Sequence, residues 1–130
     1  MCWRIWPGVI ACVASLLKSA AVTELERTWP TPTGPVERHQ VSVDGTMVPL
    51  LHGEWAEVKA LAIGQVGAAD AAGEVHTTAW SYFCRLTDAE TFRRLAWVET
   101  HRRGITAAPE LCALGDGADW CQRFYDWHCP

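Results

Sequence analysis

The chain predicts an α/β domain built on a mixed sheet of about four strands, and three observations carry that reading. Residues 41–48, 55–66 and 75–86 alternate or run apolar in the manner of strands. Thr87-Asp88-Ala89-Glu90 then opens a helical pattern that runs to Arg103. A short apolar run at 111–114 and a last helix from near Ala118 complete the order.

The first strand is the organising element. Val41, Val43, Gly45 and Met47 fall on one face, and Ser42, Asp44, Thr46 and Val48 on the other. An acid inside a core-bound strand is costly unless a cation or a donor meets it. A second acid has a similar setting in Leu111-Cys112-Ala113-Leu114-Gly115-Asp116-Gly117-Ala118. The two strands are predicted to lie side by side and to bring Asp44 and Asp116 onto one divalent metal. Two such carboxylates suit magnesium, a hard cation that keeps several waters. Taken singly, each is equally a turn residue, because Asp-Gly is a common turn dipeptide.

The remaining elements follow in order. Residues 49–53 read as a turn, and 55–66 as a strand antiparallel to the first. Residues 67–73 are small and read as a loop. The Thr-, Trp-, Tyr- and Phe-rich stretch 75–86 is a third strand, with a helical reading left open. Thr87 and Glu90 are expected to cap the next helix reciprocally, with Ala89, Phe92, Ala96 and Glu99 along one line and Leu95 beside them. His101, Arg102 and Arg103 occupy its last turn, where cations complement the helix dipole; contact with DNA is the sharper alternative. Gly104 ends it. Trp120, Phe124 and Trp127 are expected on one side of the final helix.

With 130 residues the chain can bury one modest core. A formal net charge of -4 argues against a strong nucleic-acid binder acting alone. Eight tryptophans are many for this length, and several are expected in the core. The six cysteines are scattered, and the apolar company of Cys84 and Cys112 suggests buried free thiols and a cytoplasmic protein. A zinc site from Cys112, Cys121, His128 and Cys129 is the rival, although no CxxC knuckle supports it.

Residues 1–35 stand apart. Arg4, the apolar run 5–17 and Ser19-Ala20-Ala21 imitate an export signal, but Pro7 interrupts the run and it is too short to span a bilayer. An amphipathic helix over 9–25 and a misplaced start site are the plainer readings. Residues 28–35 are proline-rich and read as a linker. The domain is therefore expected at 36–130, preceded by a segment that does not conform to it.

Three pieces together resemble a group of bacterial insertion-sequence transposases of the DDE class. They are Asp44-Gly45-Thr46-Met47-Val48-Pro49, then Gly53-Glu54-Trp55-Ala56-Glu57-Val58-Lys59, then Gly115-Asp116-Gly117-Ala118-Asp119-Trp120, with Arg102-Arg103-Gly104 at a similar helix end. The resemblance covers residues 41–130. It implies a partial ribonuclease H-like fold, with Asp44 and Asp116 as the first two catalytic and metal-binding acids. It implies Mg2+ or Mn2+ as cofactor, transposon-end DNA as partner, homo-oligomers and no membrane. Glu54, Glu57 and Lys59 match a family motif to which no role is assigned, and Asp119 is read as a first-turn acid.

The departure from the family is the third acid, which lies far beyond the second in such enzymes; neither Asp126 nor another residue fits it. The family's DNA-binding module is also absent or replaced by residues 1–35. The expectation is a truncated transposase core whose parent cuts and joins DNA by two-metal phosphoryl transfer, itself inactive for want of one ligand. The alternatives are a non-catalytic fragment that pairs with a full-length transposase, and the zinc protein.

Overall fold

The computed structural model describes residues 36–129. The helix expected over 9–25, the export-like run and the proline-rich linker lie outside the described residues. Four strands form one sheet: β1 (Arg38–Pro49), β2 (Trp55–Val66), β3 (Thr77–Arg85) and β4 (Glu110–Leu114), in the order β3-β2-β1-β4. β1 pairs antiparallel with β2, and β2 antiparallel with β3. β4 returns parallel to β1, so the sheet is mixed. The predicted strands are all present, and the helical alternative for the third is excluded.

The alternation along β1 decides which face is covered. Val41 and Val43, with Leu61 and Ile63 of β2 and Phe83 of β3, are buried beneath the helices. The opposite face holds a smaller cluster of Val58, Ala60 and Cys84 with Val48. A left-handed Ala79 and a register shift after Ile63 bend the β2–β3 pairing. A 3-10 turn at Leu51–Gly53 joins β1 to β2.

The helical stretch after β3 is broken. It forms α1 (Ala89–Leu95) and α2 (Trp97–Arg102), separated at Ala96. Its cap is Asp88, whose carboxylate accepts from the Thr91 amide at 2.9 Å. The predicted Thr87–Glu90 box does not form: Thr87 turns its hydroxyl to Asp88, and Glu90 pairs with Arg93. An aspartate one residue nearer the helix outcompetes the threonine because its charge also suits the helix start. Gly104 adopts φ 68° just past the helix end, a conformation that favours glycine.

α3 (Asp119–His128) ends the described chain. Its buried line is Cys121, Phe124 and His128, not Trp120, Phe124 and Trp127. Trp120 is half-buried and Trp127 exposed. The core is phenylalanine-centred: Phe92 sits 5.8 Å from both Phe83 and Phe124 and meets Trp120 edge-on at 6.0 Å. Among the described residues no tryptophan is fully buried, which corrects the expected role of those side chains. The indole needs a partner for its N–H, and the compact centre offers few.

The cysteines also depart from expectation. Cys84 is buried but disulfide-bonded. Burial alone could not separate a thiol from a cystine, since both pack as apolar groups. Cys112 is free but exposed, because β4 is a sheet edge. No helix among the described residues is long and apolar enough to cross a membrane.

Candidate metal centre

The parallel β1–β4 pair is what positions the two acids. Its register runs from Arg38 opposite Glu110 to Ser42 opposite Leu114. The pairing ends two residues before each acid, and the Asp116 charge acts on the Asp44 carboxyl. Asp44 is half-buried on β1, and Asp116 is exposed on the turn beyond β4. Asp44 accepts a hydrogen bond from the Gly45 amide at 2.8 Å. Asp116 accepts one from the Ala118 amide at 2.9 Å, which ties the turn to the start of α3.

Glu57 on β2 is near enough for its charge to act on Asp44. Its carboxylate occupies the space directly over Gly45, so that any Cβ there would collide with it. The register places Gly45 opposite Lys59. The Lys59 ammonium is almost wholly buried, 2.7 Å from Glu57 Oε2 and 5.4 Å from the centre of the Trp120 ring. The Asp44 carboxyl is raised above its ordinary value, chiefly by burial, with the Asp116 and Glu57 charges adding to the effect and the Gly45 amide opposing it.

α3 closes the seam from the core side. Cys121 lies 3.6 Å from Asp116 Oδ1 and is buried against the Val43 carbonyl. Burial first, then the negative charge of Asp116, Asp44 and Glu57, push its thiol up to about 12. Four residues on, the Tyr125 hydroxyl accepts from the Val43 amide at 3.1 Å and donates to the Leu114 carbonyl. One side chain thus bridges β1 and β4 just before the two acids. Its burial pushes the phenol up to about 12.

Sequence reasoning singled out Asp44 and Asp116, and it quoted Glu57 and Lys59 without assigning them a role. It missed Cys121 and Tyr125 as parts of the site. The signal for those two was present: the first turns of a helix starting beside Asp116 carry positions 121 and 125 back over the seam.

Three ligating side chains do converge elsewhere. Asp70, Glu74 and His76, all exposed, lie together in the β2–β3 loop. That carboxylate is already engaged: Asp70 Oδ1 accepts from the Ala72 and Glu74 amides and Oδ2 meets His76 at 3.0 Å. The rival zinc set does not converge among the described residues. Both ring nitrogens of His128 are occupied, by Thr100 and by the Arg93 carbonyl, and Cys112 faces outward.

No family model matches the chain, and neither a curated protein nor a solved structure does.

Proposed function

We propose that the described domain is part of a DDE transposase core of ribonuclease H-like fold, in which Asp44 and Asp116 hold a divalent cation. What carries the reading is the parallel β1–β4 pair, which ends two residues before each acid, together with the Asp116 charge that acts on the Asp44 carboxyl. The strand order β3-β2-β1-β4, with two antiparallel pairings of consecutive strands and a helical crossover to β4, supports it, as does the resemblance of the segments around Asp44, Glu57 and Asp116.

The donor chemistry fits a hard cation. Carboxylate oxygens are the ligands magnesium and manganese prefer. Burial chiefly, with the Asp116 and Glu57 charges adding to it, raises Asp44, and a divalent charge beside that carboxylate would offset the effect. Such a cation would supply Lewis-acid stabilisation of a phosphoryl displacement on DNA. Asp44 and Asp116 would orient it, Cys121 and Tyr125 would hold the Asp116 turn, and the Lys59–Glu57 pair would keep the third carboxylate turned away. No third ligand converges with the two acids among the described residues, so this chain alone is expected to bind the cation without cutting DNA.

A manganese titration of the full chain followed by tryptophan fluorescence tests this, because Trp120 lies over Lys59 beside the acids. A saturable change in the wild type, lost in Asp44→Asn and in Asp116→Asn, is the expected result. A wild type that does not respond sinks the metal reading.

One feature favours the second reading, a non-catalytic piece that pairs with a full-length transposase or with its own copies. The terminal strand β4 is largely exposed, and Trp55, Trp97 and Trp127 are exposed as well. Sedimentation alone and with the longer enzyme separates the two readings.

A further inference from the structure

We propose that His128 is an acid-released latch, an uncharged pin that holds α3 against the break between α1 and α2 and lets go when it takes a proton. The ring is wholly buried. Its Nε2 lies 2.8 Å from the Arg93 carbonyl in the last turn of α1, and its Nδ1 lies 3.1 Å from the Thr100 hydroxyl in α2. Phe124 packs on it at 4.3 Å and Trp127 edge-on at 4.7 Å, both from α3, with Trp97 of α2 at 6.4 Å. Three helical elements therefore meet on one imidazole.

The partners dictate the protonation state. A carbonyl only accepts, so Nε2 carries the hydrogen. In the neutral ring Nδ1 can only accept, so it shares the single Thr100 hydrogen with the Trp97 carbonyl, which lies 3.2 Å from that hydroxyl. A proton added at Nδ1 makes it a donor and leaves the Thr100 hydrogen to the Trp97 carbonyl alone. The resulting cation is buried and meets the charge of the Arg93 guanidinium, which lies 5.1 Å over Trp127. Burial first holds the ring below the ordinary histidine value of 6.5; the hydrogen bond to the Arg93 carbonyl opposes it and the Arg93 charge adds to it. The latch is thus fully engaged above that value and weakens as pH falls through the lower, folded one.

Release matters because α3 carries Cys121 and Tyr125, which hold the Asp116 turn and the β1–β4 seam. That consequence rests on the metal reading; the latch itself does not.

The test uses the full chain without metal. Histidine nitrogen NMR is recorded from about pH 8 to about pH 5, the range in which histidine titrates. Amide exchange of α3 is measured over the same range and corrected for its intrinsic pH dependence. The expected result is a neutral ring with hydrogen on Nε2 at the top of the range. On its titration, α3 exchange should rise severalfold. His128→Gln, which can still donate to Arg93, should remove that rise. Hydrogen on Nδ1 or a charged ring near neutrality overturns the proposal, and so does an unchanged rise in His128→Gln. His39 is the other buried histidine, held low by burial and Arg103, and a rise abolished by His39→Gln instead also overturns it. Should His128→Gln fail to fold, the wild-type nitrogen shifts decide. A missing manganese response with an intact latch sinks the metal reading alone.

Discussion

At the scale of single residues, Asp44 carries a cost that its position imposes. Its folded value is raised above 3.8, so ionisation is harder in the native state than in the unfolded chain. Its native advantage is present below 3.8 and is lost as pH rises through the folded value. Asp44→Asn should therefore raise the melting temperature at neutral pH, and the gain should vanish in acid below the unfolded value. Manganese should narrow the gap by stabilising the wild type alone, which thermal melts with and without the ion will read. Tyr125 is the opposite case, a polar group fully used. Tyr125→Phe leaves the Val43 amide and the Leu114 carbonyl without their phenol partner. The expected loss is about 1–3 kcal/mol in urea unfolding.

Among the elements, the α1 start and the α1–α2 break show how local chemistry competes. Asp88 caps the helix through the Thr91 amide, while Thr87 only reaches Asp88 at 3.4 Å. Asp88→Ala should lower the melting temperature by about 3 °C or more, and Thr87→Ala by about 1 °C or less. A larger effect at Thr87 would restore the reciprocal cap. Ala96 keeps helical φ and ψ at the interruption, which leaves Phe92 and Ala96 in the core and Thr100 against His128. A single unbroken helix was the reading from periodicity, because nothing at Ala96 is a helix breaker. The pin from α3 comes from far along the chain, where a local window does not see it.

For the molecule as a whole, stability should depend on one aromatic centre. Phe92 is fully buried and touches rings from β3 and α3. Phe92→Ala should cost about 3–5 kcal/mol, seen as a lower urea midpoint with the slope retained. Truncation at the exposed Trp97 or Trp127 should cost much less, since neither fills the core. The sheet has its helices on the Val41 face and an exposed strand at the β4 edge. Its two acids stand at the end of the one parallel pair.

Strand positions, the β1–β2 hairpin and the adjacency of β1 and β4 were legible because period-two alternation and short apolar runs are local patterns. Which helix face is buried was misread on α3, since tryptophan is apolar by scale yet sits at the margin here. The sequence by itself determined the order and type of the strands and that β1 and β4 are neighbours. Only the tertiary structure decided that Glu57 lies over Gly45, that Tyr125 and Cys121 close the seam, and that His128 is a pin rather than a metal ligand. Those outcomes depend on contacts between residues distant in the chain, and such contacts are set by packing rather than by any local window.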